Sequence, residues 1–292
     1  MAMFKDIIKL LRPSQWIKNG VVLAGLIFAE KAGQPDLAEK SLLVLVAFCL
    51  LSSSVYILND IVDRNRDRLH PLKKNRPLAA GRISVITAGF IGILLVAAGL
   101  ILSLVIDRNL IIVSLAYILL NILYTFVLKN IVIIDVMTIA AGFVLRALAG
   151  AVAIHVEFSG WLLVATFVLA LFLALGKRRH EITFLQGEAT AHRKILEKYS
   201  TQLLDQLIGV VTASTVITYL FYTLSTEIQN RLHTQYLYAT IPFVIYGIFR
   251  YLYLVHKEEQ GGSPTTLLLT DRPLLLDVLL WLASVLIILY IL

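Results

Sequence analysis

A single cysteine, Cys49, in 292 residues excludes an intrachain disulfide and leaves no thiol pair for metal or redox chemistry. Charge is scarce as well. Asp, Glu, Lys and Arg make up 15% of the chain, where a soluble domain carries roughly a quarter. Hydrophobic residues make up 59% and mean hydropathy is +0.83, which excludes a soluble globular chain and indicates an integral membrane protein. Acids are fewer than bases, 19 against 26, for a net charge of +7. No nucleic-acid recognition module accompanies that excess, so nucleic acid is not an expected partner. Anionic lipid headgroups or phosphorylated substrates account for it instead. The N-terminus lacks a small-residue cleavage site before its first polar loop, so no cleavable signal peptide is expected. With no low-complexity linker and no defensible repeat, residues 1–292 read as one membrane domain.

What the chain has in abundance is apolar runs long enough to cross hydrocarbon as helices. Nine are expected, at 16–31, 41–58, 83–106, 109–128, 131–154, 159–176, 203–224, 235–255 and 273–292. The first is the weakest, being short and ending in Glu30-Lys31. With the N-terminus in the cytoplasm, 21 of the 26 Lys and Arg fall on inner segments; Lys31, Lys40, Arg108 and Arg231 fall outside, and Arg146 lies within a span. This asymmetry predicts a multi-pass protein of the cell membrane with its N-terminus inside. Two inner connections are long and polar, Asn59 to Arg82 and Lys177 to Gln202. Their mixed apolar and charged patterning predicts surface-lying helices that cap a cavity opening to the cytoplasm.

The second run leads directly into Asn59-Asp60-Ile61-Val62-Asp63-Arg64-Asn65-Arg66-Asp67. On a continuing helix, Asp60, Asp63 and Asp67 fall within an arc of roughly 60°, with Asn59 about 40° beyond Asp63. A fan of oxygen ligands over two turns suits Mg²⁺, a hard cation commonly shared between carboxylates and substrate phosphates. A solvated helix end with surface pairs such as Asp60–Arg64 is the plainer account, but ionisable groups at membrane helix ends default to function. Next comes His70-Pro71-Leu72-Lys73-Lys74-Asn75-Arg76-Pro77, a loop fixed by two prolines that brings Lys73, Lys74 and Arg76 close to the acids. Cations there would neutralise a metal-bound diphosphate, with Arg able to grip a phosphate bidentately.

Elsewhere the signals are thinner. The second polar loop opens Gly176-Lys177-Arg178-Arg179-His180-Glu181, and no Asp-x-x-x-Asp follows Asp67. His180 and His192 are too isolated to predict zinc and read as surface residues. Gln15, Lys18 and Asn19 share a face at the entry of the first run, where Trp16 reads as an interfacial anchor. Tyr124, Lys129 and Asp135 bracket a short inner turn. Arg146 lies about 16 Å beyond Asp135 along its helix, too far to pair with it, and is expected to face a polar cavity or another helix.

These motifs resemble the UbiA superfamily of intramembrane prenyltransferases, whose first signature is Asn-Asp-x-x-Asp-x-x-x-Asp after the second of nine helices; Asn59, Asp60, Asp63 and Asp67 match it in full. Within it the chain is most similar to the decaprenyl-phosphate phosphoribosyltransferase branch. That likeness is carried by Leu-Arg-Pro-x-Gln-Trp-x-Lys-Asn at 11–19, His-Pro-x-Lys-x-x-Arg-Pro at 70–77, Asp135 with Gly-Phe-x-Leu-Arg-Ala at 142–147, and Gly-Lys-Arg at 176–178. It runs from about residue 11 to 205, and the last three spans resemble the family only in being apolar. The resemblance implies an all-α bundle with a cytoplasmic-side site. It also implies Mg²⁺, or Mn²⁺, as cofactor, phosphoribosyl pyrophosphate as donor and polyprenyl phosphate as acceptor. A second Asp ladder, usual in the family's aromatic prenyltransferases, is replaced here by Gly-Lys-Arg-Arg-His-Glu, which agrees with the phosphoribosyl branch.

On that footing the candidate catalytic and metal-binding residues are Asn59, Asp60, Asp63 and Asp67. The candidate substrate-binding residues are Lys18, Asn19, Lys73, Arg76, Tyr124, Lys129, Asp135, Lys177, Arg178 and Glu181. An aromatic prenyltransferase using a polyprenyl diphosphate, with Glu181 replacing part of a ladder, is the first alternative. A transporter of a phosphorylated solute is the second, disfavoured because the outer loops are short and chemically poor.

Overall fold

The computed structural model describes residues 2–71, 73–185, 194–258 and 262–292, and its regular elements are all helical. We label nine helices in chain order: α1 Ala2–Leu11, α2 Pro35–Val62, α3 Val85–Ile106, α4 Arg108–Phe126, α5 Ile134–Ala153, α6 Gly160–Leu185, α7 Thr201–Leu224, α8 Ile241–His256 and α9 Arg272–Tyr290. Several starts follow from local chemistry. Ser84 caps α3 through Thr87 N–H at 3.0 Å, Asp107 caps α4 through Asn109 N–H at 2.7 Å, and Asp271 caps α9 through Leu274 N–H at 2.9 Å.

Eight helical stretches among the described residues, α2 to α9 with the 3-10 turn Tyr236–Thr240 continuing into α8, are long and apolar enough to cross a membrane. The expected first span is not one of them. Pro13–Leu23 winds as a 3-10 helix and only Ala24–Phe28 is α-helical. At about 2.0 Å per residue for the 3-10 part and 1.5 Å for the rest, this segment still reaches roughly 30 Å. It packs backbone to backbone on α5. A Cβ built on Gly150 would lie 1.8 Å from the Val22 carbonyl oxygen, and one on Gly25 would lie 3.0 Å from the Ala151 backbone. Small residues at such a crossing let two helices approach where lipid supplies no hydrophobic drive.

The crossings alternate, so the segments after α2, α4, α6 and α8 share one face of the bundle, with those after α3, α5 and α7 opposite. Two helices overrun their apolar stretches on the shared face. Helix α2 continues to Val62 and carries Asn59 and Asp60, while α6 continues to Leu185, so Lys177, Arg178 and Glu181 lie on a membrane helix rather than in a loop. Between α2 and α3 the chain forms Arg64–Leu69 and a 3-10 turn at Lys73–Asn75. Of the other expected surface helix, Lys194–Lys198 is a 3-10 turn, and His192 and Arg193 lie outside the described residues.

One core joins α5 to α8 around Phe172, Leu175, Leu204 and Tyr251, and another joins α2, α4 and α5 around Phe48, Leu51, Tyr117 and Ala149. Helix α3 instead turns Ile86, Ile93, Ile101 and Val105 outward, a surface that lipid satisfies and water would not.

Candidate active site

The acidic ladder runs across the end of α2. Asn59 and Asp60 sit in its last turn, Asp63 terminates it at φ −89°, ψ 4°, and Asp67 lies on Arg64–Leu69. The Asp63 N–H donates to Asn59 O and the Asp67 N–H to Asp63 O, both at 2.8 Å, which carries the helical register over the join. The four side chains nevertheless part into two pairs. Arg76 Nη1 donates to Asp60 Oδ1 at 3.0 Å and to Asp67 Oδ2 at 2.7 Å, so one nitrogen lies between two carboxylates. Arg12 also donates to Asp60. Asn59 and Asp63 turn toward the α4–α5 connection, accepting from Thr125 Oγ1 and Lys129 Nζ respectively, each at 2.8 Å. The expected fan of four converging ligands is therefore not formed, and no three His, Cys, Asp or Glu among the described residues make a metal-sized group. The reason is electrostatic: Asp60 and Asp67 are buried, and carboxylates in that position need cations beside them.

Strained backbone marks both ends of this cluster. Arg12, between α1 and the 3-10 segment, is left-handed at φ 54°, a conformation that aims its guanidinium at Asp60. Ile133 holds φ 70°, costly for a β-branched residue, and its N–H donates to the Tyr199 hydroxyl oxygen at 2.6 Å. Tyr199 in turn donates to Asp135 Oδ1 at 2.7 Å. Burial, and then this hydrogen bond to Asp135, push the Tyr199 pKa above the usual phenol value, so the proton stays in place to be donated.

Two residues expected to meet substrate are internal instead. Asp135 has no exposed surface, and Arg178, 3% exposed, is ion-paired to Asp135 Oδ2 at 2.7 Å and to Glu181. Arg178 thus ties α6 to α5, and Tyr124 on α4 lies within its electrostatic reach. Lys177 differs. Its ammonium stands 3.9 Å from Glu181 and within electrostatic reach of Lys18 and Lys73, and 48% of its side chain is accessible. An accessible ammonium among other cations makes this end of the bundle a cationic surface. Lys74 is exposed on the outside of its loop.

Lower in the bundle, Asn19 and Arg146 meet. Arg146 Nε donates to Asn19 Oδ1 at 2.8 Å and Nη2 to the Tyr117 hydroxyl at 2.7 Å, so it faces other helices, as expected, and does not reach Asp135. Asn19 donates to Ser52 Oγ at 3.1 Å. Trp16 is no simple interfacial anchor, because its Nε1–H donates to Ser53 Oγ at 3.0 Å on α2. His180 stacks on Phe184 at 5.6 Å, and His192 is outside the described residues. Sequence reasoning passed over Arg12, Thr125, Tyr199 and Tyr117 as participants. Arg12 alone left a signal, a cation before proline at a membrane entry.

The chain and its fold have known counterparts. Residues 20–269 match the model of the UbiA prenyltransferase family. The chain belongs to that family. Decaprenyl-phosphate phosphoribosyltransferase of Mycolicibacterium smegmatis is 34% identical over 96% of this chain and 91% of its own length. The enzyme of the same name from Corynebacterium glutamicum is 33% identical over 97% and 86%. Among solved structures, a UbiA homologue from Archaeoglobus fulgidus bound to GPP and Mg²⁺ superposes with a TM-score of 0.73 at 21% identity, covering 96% of this chain and 99% of that one. At that identity the likeness speaks for the fold.

Proposed function

We propose that this protein transfers the 5-phosphoribosyl group of phosphoribosyl pyrophosphate to a polyprenyl phosphate, releasing pyrophosphate, with the site on the cytoplasmic face. The observation that carries the reading is the charge of this cluster. Among the described residues, Arg12, Lys18, Lys73, Arg76, Lys129, Lys177 and Arg178 stand around Asp60, Asp63, Asp67, Asp135 and Glu181, a surplus of two positive charges. A prenyl diphosphate brings two phosphoryl groups; phosphoribosyl pyrophosphate brings three and its lipid acceptor a fourth. A cationic basin is matched to the second pair of substrates. Glu181, the acid that stands where a second ladder would lie, is committed to Arg178. The phosphoribosyltransferase relatives point the same way.

The ladder fits a divalent metal by its donor chemistry. Asp60 and Asp67 already place two hard oxygens about one cationic nitrogen, and Asn59 and Asp63 add two more on the neighbouring face. Mg²⁺ held there would supply Lewis-acid stabilisation of the departing pyrophosphate. Arg76 and Arg12, released from Asp60 and Asp67, are placed to grip the diphosphate. Lys129 orients Asp63, and Lys73 and Lys177 line the path of the donor's remaining phosphate. As pyrophosphate leaves, ribose C1 gains oxocarbenium character and an oxygen of the lipid phosphate bonds to it. That oxygen is already anionic, so no side chain has to remove a proton. Catalysis is positioning and charge stabilisation.

The test is pyrophosphate release by purified protein with Mg²⁺ under two substrate pairs. Phosphoribosyl pyrophosphate with polyprenyl phosphate should support turnover. Turnover with a polyprenyl diphosphate and an aromatic acid, and none with the first pair, would replace this reading by prenyl transfer.

A further inference from the structure

Tyr199 is 5% exposed and stands between the 3-10 turn Lys194–Lys198 and the start of α7. Its hydroxyl makes two hydrogen bonds where the α4–α5 connection enters α5. It accepts from the Ile133 N–H at 2.6 Å and donates to Asp135 Oδ1 at 2.7 Å. A phenol oxygen can do both at once, and a phenylalanine can do neither. The segment before α7 lies across that connection. Ile195 and Tyr199 share a buried cluster with Val136, against which Val132 packs, and the Lys194–Lys198 turn touches the 3-10 turn Leu128–Asn130.

That second turn carries Lys129. The lysine is 5% exposed, and its Nζ donates to Asp63 Oδ1 at the end of α2 at 2.8 Å. Asp63 keeps 29% of its side chain accessible, so the lysine engages one carboxylate oxygen while the group stays open to a ligand. How Lys129 is aimed depends on the backbone that follows it. This includes Ile133 at φ 70°, ψ −45°, a conformation that a β-branched residue keeps only where its surroundings impose it. Here Tyr199 holds the Ile133 N–H directly and holds Asp135 beside it, while Arg178 grips the other Asp135 oxygen from α6 at 2.7 Å.

We propose that Tyr199 is a positioning residue for the acidic ladder: its hydroxyl locks the α4–α5 connection so that Lys129 fixes Asp63 in the orientation in which it takes a divalent metal. The role rests on the reading of the ladder as the metal site. Groups that orient a ligating carboxylate are worth about tenfold or more in metal affinity. Tyr199→Phe exchanges one neutral side chain for another and keeps the ring in its core. A change in metal affinity on that substitution therefore reports geometry and not local charge.

The experiment has two readouts on the full chain in detergent. The first, with EDTA present, is acylation of Lys129 by acetic anhydride, followed by peptide mass analysis with the exposed Lys9 as internal reference. Lys129 should be protected in the unmodified chain and react several times faster in Tyr199→Phe. Leu204→Ala, which truncates a fully buried side chain of the same core, is the control for general loosening. It should lower the melting temperature without exposing Lys129. The second readout is Mn²⁺ binding followed by electron paramagnetic resonance. Tyr199→Phe should weaken it about tenfold, and should change nothing further when added to Lys129→Met, because Tyr199 acts through that lysine. Lys129 equally protected in Tyr199→Phe, or equally exposed in Leu204→Ala, would overturn the lock. Mn²⁺ affinity unchanged in Tyr199→Phe, or weakened to the same extent with and without Lys129, would overturn the positioning role. Protection of Lys129 that depends on Tyr199, in a chain whose Mn²⁺ binding ignores Asp63→Ala, would overturn the ladder as the metal site and leave the lock standing.

Discussion

Replacing Arg178 by Met should act on stability before it acts on any substrate. The residue is 3% exposed and pairs with Asp135, which has no exposed surface, and with Glu181. Removing the cation leaves a buried carboxylate whose remaining donor is Tyr199 at 2.7 Å. Breaking a buried pair from one side costs about 3–5 kcal/mol, because the stranded charge has lost its water without compensation. The double variant Arg178→Met, Asp135→Leu removes both charges and should recover a large part of that loss. The assay is denaturation of the purified protein in mixed micelles, run beside donor and lipid KM measurements on whatever fraction stays folded. Lys177→Ala is the control: its side chain is 48% accessible, so it should raise the donor KM with little change in stability. Were Arg178→Met to unfold as the unmodified protein does, with only the donor KM raised, the reasoning from burial would be wrong and Arg178 would be a substrate contact.

Activity should vanish in EDTA and return with Mg²⁺ or Mn²⁺. Asp67→Asn and Asp63→Ala should each lower kcat at least a hundredfold, about 2.7 kcal/mol of barrier, with full activity in either variant refuting the ladder as the metal site. Gly150→Ala forces a Cβ to within 1.8 Å of the Val22 carbonyl oxygen, so it should destabilise the fold by about 1–3 kcal/mol and lower activity by displacing Lys18 and Asn19; a variant as stable and active as the parent would show that the two segments are not in contact. With Cys49 replaced by Ala, a cysteine at Asn75 should react with an impermeant thiol reagent only in opened cells, and one at Asn230 in intact cells. Labelling of position 75 from outside would invert the orientation and remove the reason for a soluble cytoplasmic donor.

Much of the bundle was legible because a membrane makes hydrophobic length an explicit signal. Eight expected runs coincide with α2 to α9, and the failures lie where composition is silent about winding. Residues 16–31 read as a plain span, yet the chain winds there as a 3-10 helix against α5, a choice set by contacts with Gly150 and Ala151 some 125 residues away. The end of α6 read as a surface-lying helix because it mixes apolar and charged positions, whereas Arg178 finds its counter-charge in Asp135 on the facing helix. Helical periodicity found Asp60 and Asp67 on a common face. It could not find Arg76 between them, nor Arg12 from 48 residues upstream, since pairings between elements leave no period in the chain. Asn59 and Asp63 were grouped with the other two by their spacing, and Thr125 and Lys129 draw them the other way. The spacing argument for Arg146 succeeded because it concerned one helix only: the rise along α5 excluded Asp135 and left a partner on another helix.

The central claim is that this cationic cluster selects a phosphoribosyl donor. Purified protein incubated with Mg²⁺, phosphoribosyl pyrophosphate and polyprenyl phosphate should yield a lipid heavier by one phosphoribosyl group, seen by mass analysis of the extracted lipid, with one pyrophosphate released per lipid formed. An unchanged lipid under these conditions, together with prenyl transfer from a polyprenyl diphosphate to an aromatic acceptor, would contradict it.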